Sequence, residues 1–224
     1  MTSLGVPRVH FRRVDSTNAR ARGLAEAGAP HGTVVTADEQ SAGRGRQGRT
    51  WSAPPGQALL FSVVLRDPPR LLPLAAGIAV AEEAGTEARI KWPNDVLLDV
   101  RKIAGILVEG RPRERWAVLG IGLNVAVKVD ELPPELRDRA GSLERGQAEI
   151  EPTLNRLLTR IERWLVAPPR ALLEAVRARD DLRGRAIRWQ AGHGEAAGID
   201  DDGRLVVLTK AGQVVLEAGE VHLG

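Results

Sequence analysis

The chain has 224 residues, 43% of them hydrophobic, and a formal net charge of +3, a composition that can bury the core of one main domain with a small one beside it. It has no cysteine, which excludes disulfides, a thiolate nucleophile and cysteine metal ligands, and its four histidines lie too far apart in sequence to mark a zinc site, so no resident metal is expected. The basicity comes from arginine, with lysine only at Lys91, Lys102, Lys128 and Lys210, and a charge of +3 over this length gives little support to a nucleic-acid partner. No apolar run reaches membrane-spanning length and no signal core opens the chain, so a cytoplasmic protein without a membrane partner is expected.

In chain order, residues 9–14 read as a first strand, and Asp15-Ser16-Thr17-Asn18 as the start of a helix over 19–27 that ends before Gly28. All four of those residue types cap helices; equally, hydroxyls and N–H groups at a helix start can hold a polar ligand. Residues 33–38 form a β-branched strand that leads into Gln40-Ser41-Ala42-Gly43-Arg44-Gly45-Arg46-Gln47-Gly48-Arg49-Thr50-Trp51. Glycine permits close backbone approach, and each arginine offers a rigid fork of donors to a phosphate or carboxylate, so this loop reads as a flexible lid over an anion that gains order when the anion binds. It is not a P-loop: the required lysine is missing, and Pro54, Pro55 and Gly56 preclude the helix that would hold the phosphates. Nor does it suit RNA, since arginine and glycine are not interleaved with aromatics.

Residues 58–65 read as a strand almost wholly apolar, buried on both faces. An apolar helix follows over 73–84. Strands over 88–92, 96–99, 103–109 and 116–125, joined by short turns, imply antiparallel neighbours. Three clusters sit on them: Lys91-Trp92-Pro93-Asn94-Asp95; Lys102-Ile103-Ala104-Gly105-Ile106-Leu107-Val108-Glu109; and Gly120-Ile121-Gly122-Leu123-Asn124. Each has an ordinary reading, as a turn, a solvated lysine or a weak strand. Two glycines in a buried strand nevertheless ask for a reason, and a ligand lying against the strand supplies one. Helices over 152–166 and 171–179 cover the sheet, and short strands over 185–190, 194–199, 205–208, 214–217 and 220–223 read as a small β-barrel that leans on the main domain. The expected fold is α+β, a mixed, largely antiparallel central sheet covered by helices. The domains are residues 1–181 and 182–224.

Together the clusters describe an apolar slot walled by glycine-containing strands, with several cations and a few amides. It would hold a ligand with an apolar tail, an amide-like head and a carboxylate beside polyphosphate. Two unit charges about 4 Å apart repel by roughly 4 kcal/mol at an effective dielectric near 20, and fixed arginine and lysine must offset that. This is the task of an acyl-adenylate-forming enzyme.

Five blocks in order, Asp15-Ser16-Thr17-Asn18, Gln40 with Gly43–Arg49 and Trp51, Lys91–Asp95, Lys102–Glu109 and Gly120-x-Gly122-x-Asn124, resemble biotin protein ligase, or biotin–[acetyl-CoA-carboxylase] ligase. The resemblance implies the class II synthetase-like catalytic fold followed by an SH3-like domain. It also implies the reaction: biotin and Mg2+-ATP give biotinyl-5′-AMP, which acylates a lysine of a biotin carboxyl carrier protein domain of a biotin-dependent carboxylase. Carried over block by block, it gives Ser16, Thr17, Asn18, Gln40, Gly43, Arg44, Lys102, Gly105, Gly120 and Gly122 to biotin. Arg44, Arg46, Arg49, Trp51, Asn94 and Asn124 go to ATP and the adenylate, and Lys102, Arg46, Lys91 and Asp95 to catalysis. Only fourteen residues precede Asp15, so the monofunctional type without an N-terminal DNA-binding domain, and without DNA binding, is expected. Edge strands would permit a homodimer. The rivals are a lipoate–protein ligase, which shares the chemistry but builds its loop from serine and glycine, and a nucleic-acid-binding module using the Arg/Gly loop.

Overall fold

The computed structural model describes residues 4–224. The β-branched and apolar runs become β1 (Arg8–Val14), β2 (Val34–Gln40) and β3 (Ala58–Arg66), with α1 (Thr17–Glu26) crossing between the first two. Next come α2 (Leu72–Ala84), β4 (Arg89–Lys91), β5 (Asp95–Leu98), β6 (Arg101–Arg111) and β7 (Trp116–Asn124). A one-turn helix α3 (Pro134–Arg137) precedes α4 (Ile150–Leu165) and α5 (Pro169–Arg177). The seven strands form one sheet, ordered β1-β2-β3-β7-β6-β5-β4. Only β1 and β2 run parallel, as the α1 crossover between them requires; the other neighbours are antiparallel. This is the expected mixed, largely antiparallel α+β architecture.

Side chains alternate across a strand, and that period divides the work of β3 and β7. Leu59, Phe61, Val63 and Leu65 of β3, with Leu119, Ile121 and Leu123 of β7, join the main core with Ile78 of α2 and Leu154, Leu157 and Ile161 of α4. On the opposite face, Val64 and Val118 pack on Ala21 and Ala25 of α1. Ala58 and Leu60, further along the same face, pack on Val127 and Leu132 of the segment after β7. Between these two contacts the face presents Ser62 beside Gly120, and Gly122 beside Gly105. The sheet is thus covered at both ends of this face and bare of large side chains of its own in the middle.

One buried charge ties the helical layer together. Glu83 of α2 has a side chain 2% exposed and accepts from Arg145 at 2.5 Å, Arg156 at 3.0 Å and Arg160 at 3.3 Å. Burial pushes its carboxyl up, but the hydrogen bonds from Arg156 and Arg145 outweigh that and hold it below the ordinary 4.5. A depressed folded pKa means the stabilisation is present above 4.5 and is lost as pH falls through the lower folded value. Glu83→Gln is therefore expected to cost about 3 kcal/mol near neutrality, and less in acid, where the wild type also loses the charge. Thermal unfolding at pH 7 and at pH 3 checks this, and an equal loss at both pH values would contradict it.

The C-terminal strands are β8 (Ala186–Trp189), β9 (Gly192–Ile199), β10 (Leu205–Thr209), β11 (Gly212–Leu216) and β12 (His222–Leu223). Their order is β11-β10-β9-β8-β12. The expected closed barrel is corrected here to an open five-stranded sheet. β12 has two residues and pairs with β8, leaving β11 and β12 as the two edges among the described residues. The sheet leans on the rest as anticipated. Leu182, Ile187, Ala196, Leu205, Val207 and Val221 belong to the same core as α2 and α5, and the Trp92 indole donates to the Gly203 carbonyl at 3.0 Å.

Candidate functional site

The bare middle of the sheet floors a cavity of about 310 Å3. A Cβ at Gly120 would lie 1.9 Å from Asn18 Oδ1, and one at Gly122 2.5 Å from the Trp51 ring. The two glycines that cost β7 stability are therefore filled from outside the sheet, one by the start of α1 and one by the Gly/Arg loop. Gly105 pairs with Gly122 and lies under the same indole, where its Cβ would be 3.1 Å from Trp51 Cζ3.

At one end of the cavity Ser16, Thr17 and Asn18 are buried. The helix expected over 19–27 starts at Thr17, and its N-cap residue Ser16 makes no side-chain capping bond. The cap comes from another element: Gln40 Oε1 accepts the Thr17 backbone N–H at 2.7 Å and the Thr17 hydroxyl at 3.1 Å. The Ser16 hydroxyl thereby faces the cavity without a protein partner among the described residues. Asn18 is engaged inward: its Oδ1 accepts from Ser62 at 2.6 Å and its Nδ2 donates to Glu109 at 2.8 Å.

The loop over the cavity is a hairpin closed on itself. Trp51 N–H donates to Gly43 O at 3.0 Å and Gly45 N–H to Arg49 O at 2.7 Å, with a bridge between Arg44 and Thr50. Gly43 does not line the cavity. It is buried, and a Cβ there would lie 2.4 Å from Trp51 O, so its glycine closes the hairpin base. Arg44, Arg46, Arg49 and Trp51 do line the cavity. Arg46 Nη1 donates to Asn94 Oδ1 at 3.2 Å, while Asn94 Nδ2 donates to Ile106 O at 3.1 Å. Burial lowers the Arg46 pKa, and Asp95 opposes the shift.

Lys102 begins the part of β6 that faces the cavity. Its Nζ stands 2.7 Å from Asp95 Oδ1 as an ion pair off the hydrogen-bond axis, and 5.7 Å from the centre of the Trp51 ring. Its backbone is gripped on both sides, with Lys102 N–H donating to Arg139 O at 2.7 Å and Gly141 N–H to Lys102 O at 2.8 Å. Asn124 Nδ2 donates to Gly141 O at 2.8 Å, and its buried Oδ1 has no partner among the described residues. Lys91 and Asp95 lie outside the main cavity, in a recess of about 30 Å3 between Arg46, Arg49, Trp92 and the segment 219–221.

The structure thus brings Ser16, Thr17, Asn18, Gln40, Arg44, Arg46, Arg49, Trp51, Asn94, Lys102, Gly105, Gly120, Gly122 and Asn124 to one cavity, sets Lys91 and Asp95 beside it, and places Gly43 behind it. Sequence reading missed Ser62, Leu132, Leu136, Arg139 and Glu220. It quoted Glu109 without giving it a task. Glu220 reaches the loop from the C-terminal sheet and pairs with Arg49 at 2.8 Å. None of these carries a local signal, because each acts across the fold; Ser62 sits in a strand that reads as pure core.

Comparison with known proteins gives the same picture. The biotin/lipoate A/B protein ligase family model matches residues 10–125, and the biotin protein ligase C-terminal domain model matches 174–224. The chain is 37% identical to the biotin–[acetyl-CoA-carboxylase] ligase of Mycobacterium tuberculosis, over 93% of this chain and 86% of that protein. It is 34% identical to the same-named ligase of Paracoccus denitrificans, over 95% and 98%. The biotin protein ligase of Aquifex aeolicus, solved in complex with biotin and ATP, superposes with a TM-score of 0.80 at 28% identity, covering 97% of this chain and 98% of that one.

Proposed function

This chain belongs to the biotin/lipoate A/B protein ligase family as one of its biotin ligases, and we propose that it joins biotin to a lysine of a biotin carboxyl carrier protein domain through biotinyl-5′-AMP. The observation that carries this reading is one cavity lined by Gly105, Gly120 and Gly122, with hydroxyls and an amide at one end and Lys102, Arg46 and Asn94 at the other. Biotin would lie in this cavity, lined by Gly105, Gly120 and Gly122, with its ureido head meeting Ser16, Thr17 and Gln40. Its carboxylate would then point at Lys102. ATP would enter as its Mg2+ complex, the ion arriving with the nucleotide.

In the first step a carboxylate oxygen bonds to the α-phosphorus and the bond to pyrophosphate breaks. Lys102 and Arg46 would offset the negative charge gathered there. In the second step the neutral carrier amine attacks the acyl carbon, AMP leaves with the bonding electrons, and the proton lost from the amine passes to water. Lys91 and Asp95, in the adjoining recess, would serve the departing pyrophosphate and the arriving amine. Asn124, through its free Oδ1, would accept a donor of the nucleotide. The carrier supplies the nucleophile, so no covalent enzyme intermediate is needed.

Biotin-dependent exchange of labelled pyrophosphate into ATP, followed by transfer to a carrier domain, tests the proposal. Exchange driven by lipoate and not biotin would overturn it in favour of the lipoate rival, and binding of random nucleic acid with no exchange would overturn it altogether. A further expectation concerns retention. Arg46→Gly removes the loop's tie to Asn94 and should raise the dissociation rate of the adenylate at least about tenfold, equivalent to about 1.4 kcal/mol. A filter-binding chase reads that rate, and an unchanged value would take Arg46 out of the lid.

A further inference from the structure

We propose that Glu109, which has no place in the reaction just described, is a positioning residue that ties the lid to the head end of the cavity; the inference rests on that reading of the site. A continuous run of side-chain contacts passes beneath the cavity. Gln40 Oε1 accepts the Thr17 backbone N–H at 2.7 Å, the Thr17 and Ser62 hydroxyls stand 2.8 Å apart, and Ser62 gives its one proton to Asn18 Oδ1 at 2.6 Å. Asn18 donates to Glu109 Oε2, and Glu109 Oε1 stands 3.9 Å from Arg44 Nη1. Gln40 ends β2 where the loop departs, and Arg44 lies within the loop. The run therefore starts and finishes in the lid and crosses the floor of the head pocket between.

Glu109 is the one anion in this ring. It shares a face with Gly105 and Leu107, pairs in register with Val118, and keeps its side chain 28% exposed. Its two oxygens face different partners. One fixes the Asn18 amide, so that Nδ2 points to the carboxylate and Oδ1 to Ser62, which holds the Thr17 hydroxyl ready to bond a polar head. The other draws the Arg44 guanidinium toward the floor. A ligand that fills the head pocket steadies Thr17 and Gln40, and the same ring then biases the loop toward closure, the population shift expected when two sites share one set of contacts.

The test is a cycle of Glu109→Gln, Arg44→Gln and the double variant. Glutamine retains an acceptor for Asn18 and removes the charge that Arg44 meets. Hydrogen exchange of loop amides 43–50 in the unliganded protein is read first, since it needs no substrate and stays informative whatever the acid substrate proves to be. We expect exchange about two- to fivefold faster in each single variant, the size of a half-exposed ion pair, and no faster in the double. With substrates, adenylate dissociation should accelerate by a similar factor in Glu109→Gln while the rate of transfer to the carrier is unchanged. Fully additive effects in the double variant, or loop exchange equal to wild type in Glu109→Gln, would overturn the proposal. So would a Glu109→Gln protein that loses thermal stability and biotin affinity with no change in the loop, since that is the mark of a purely structural acceptor.

Discussion

Lys102→Ala should slow biotin-dependent ATP–pyrophosphate exchange by about a thousandfold. The ammonium lines the cavity in which carboxylate and phosphate would meet, and it is 2.7 Å from Asp95. The repulsion it offsets is roughly 4 kcal/mol for unit charges about 4 Å apart at an effective dielectric near 20, and each 1.36 kcal/mol of barrier is about a factor of ten. Removing it also leaves Asp95, whose side chain is 16% exposed, as an unpaired anion facing the incoming phosphates, so the loss has two parts of the same sign. Lys128 serves as the control. It is exposed and pairs with Glu131 away from the cavity lining, and Lys128→Ala should leave the exchange rate as it is. A near-normal rate for Lys102→Ala would remove Lys102 from the chemistry.

Gly120→Ala and Gly122→Ala should both impair biotin binding, but for opposite physical reasons that thermal unfolding separates. At Gly120 the added methyl lands 1.9 Å from Asn18 Oδ1 and 2.7 Å from its Cγ. Asn18 is buried and bonded to Ser62 and Glu109, so it cannot step aside without breaking both contacts. Overpacking of this kind, with a buried hydrogen bond lost, costs about 3 kcal/mol. At Gly122 the methyl meets the Trp51 ring, at 2.5 Å from Cε2. Trp51 belongs to the loop and can swing away. Gly120→Ala is therefore expected to lower the Tm by about 5 °C or more and the biotin affinity about a hundredfold, whereas Gly122→Ala should lose affinity at nearly unchanged Tm. Equal Tm losses in the two variants would mean that the loop is as rigid as α1, contrary to this account.

How much of this could be read from the sequence follows from the range of the interactions. The strands were legible because apolar and β-branched runs report on burial within a few residues. Gly105, Gly120 and Gly122 were legible because glycine in a buried strand is a cost that asks for a reason. The start of α1 was misplaced because its cap, Gln40, lies 23 residues away and reads locally as a strand end. Glu83 with Arg145, Arg156 and Arg160 was invisible for the same reason: two of those arginines stand four apart on α4 and pass for an ordinary solvated face. Closure of the C-terminal strands was over-read, since turn spacing fixes which strands are neighbours but not whether the two-residue β12, which pairs with β8, also meets β11 at the other edge.

The alternation along β7 sets a limit on how this chain can change length. Leu119, Ile121 and Leu123 look one way into the core, while Gly120, Gly122 and Asn124 look the other way into the cavity. Deleting or inserting one residue upstream within that strand would exchange the two sets, driving leucine and isoleucine into the space kept for a ligand and leaving glycine holes beneath α2 and α4. β3 and β6, paired with β7 residue for residue, carry the same restriction. Insertions and deletions are therefore confined to the connections, and the strands that floor the site can drift only by substitution, one face at a time.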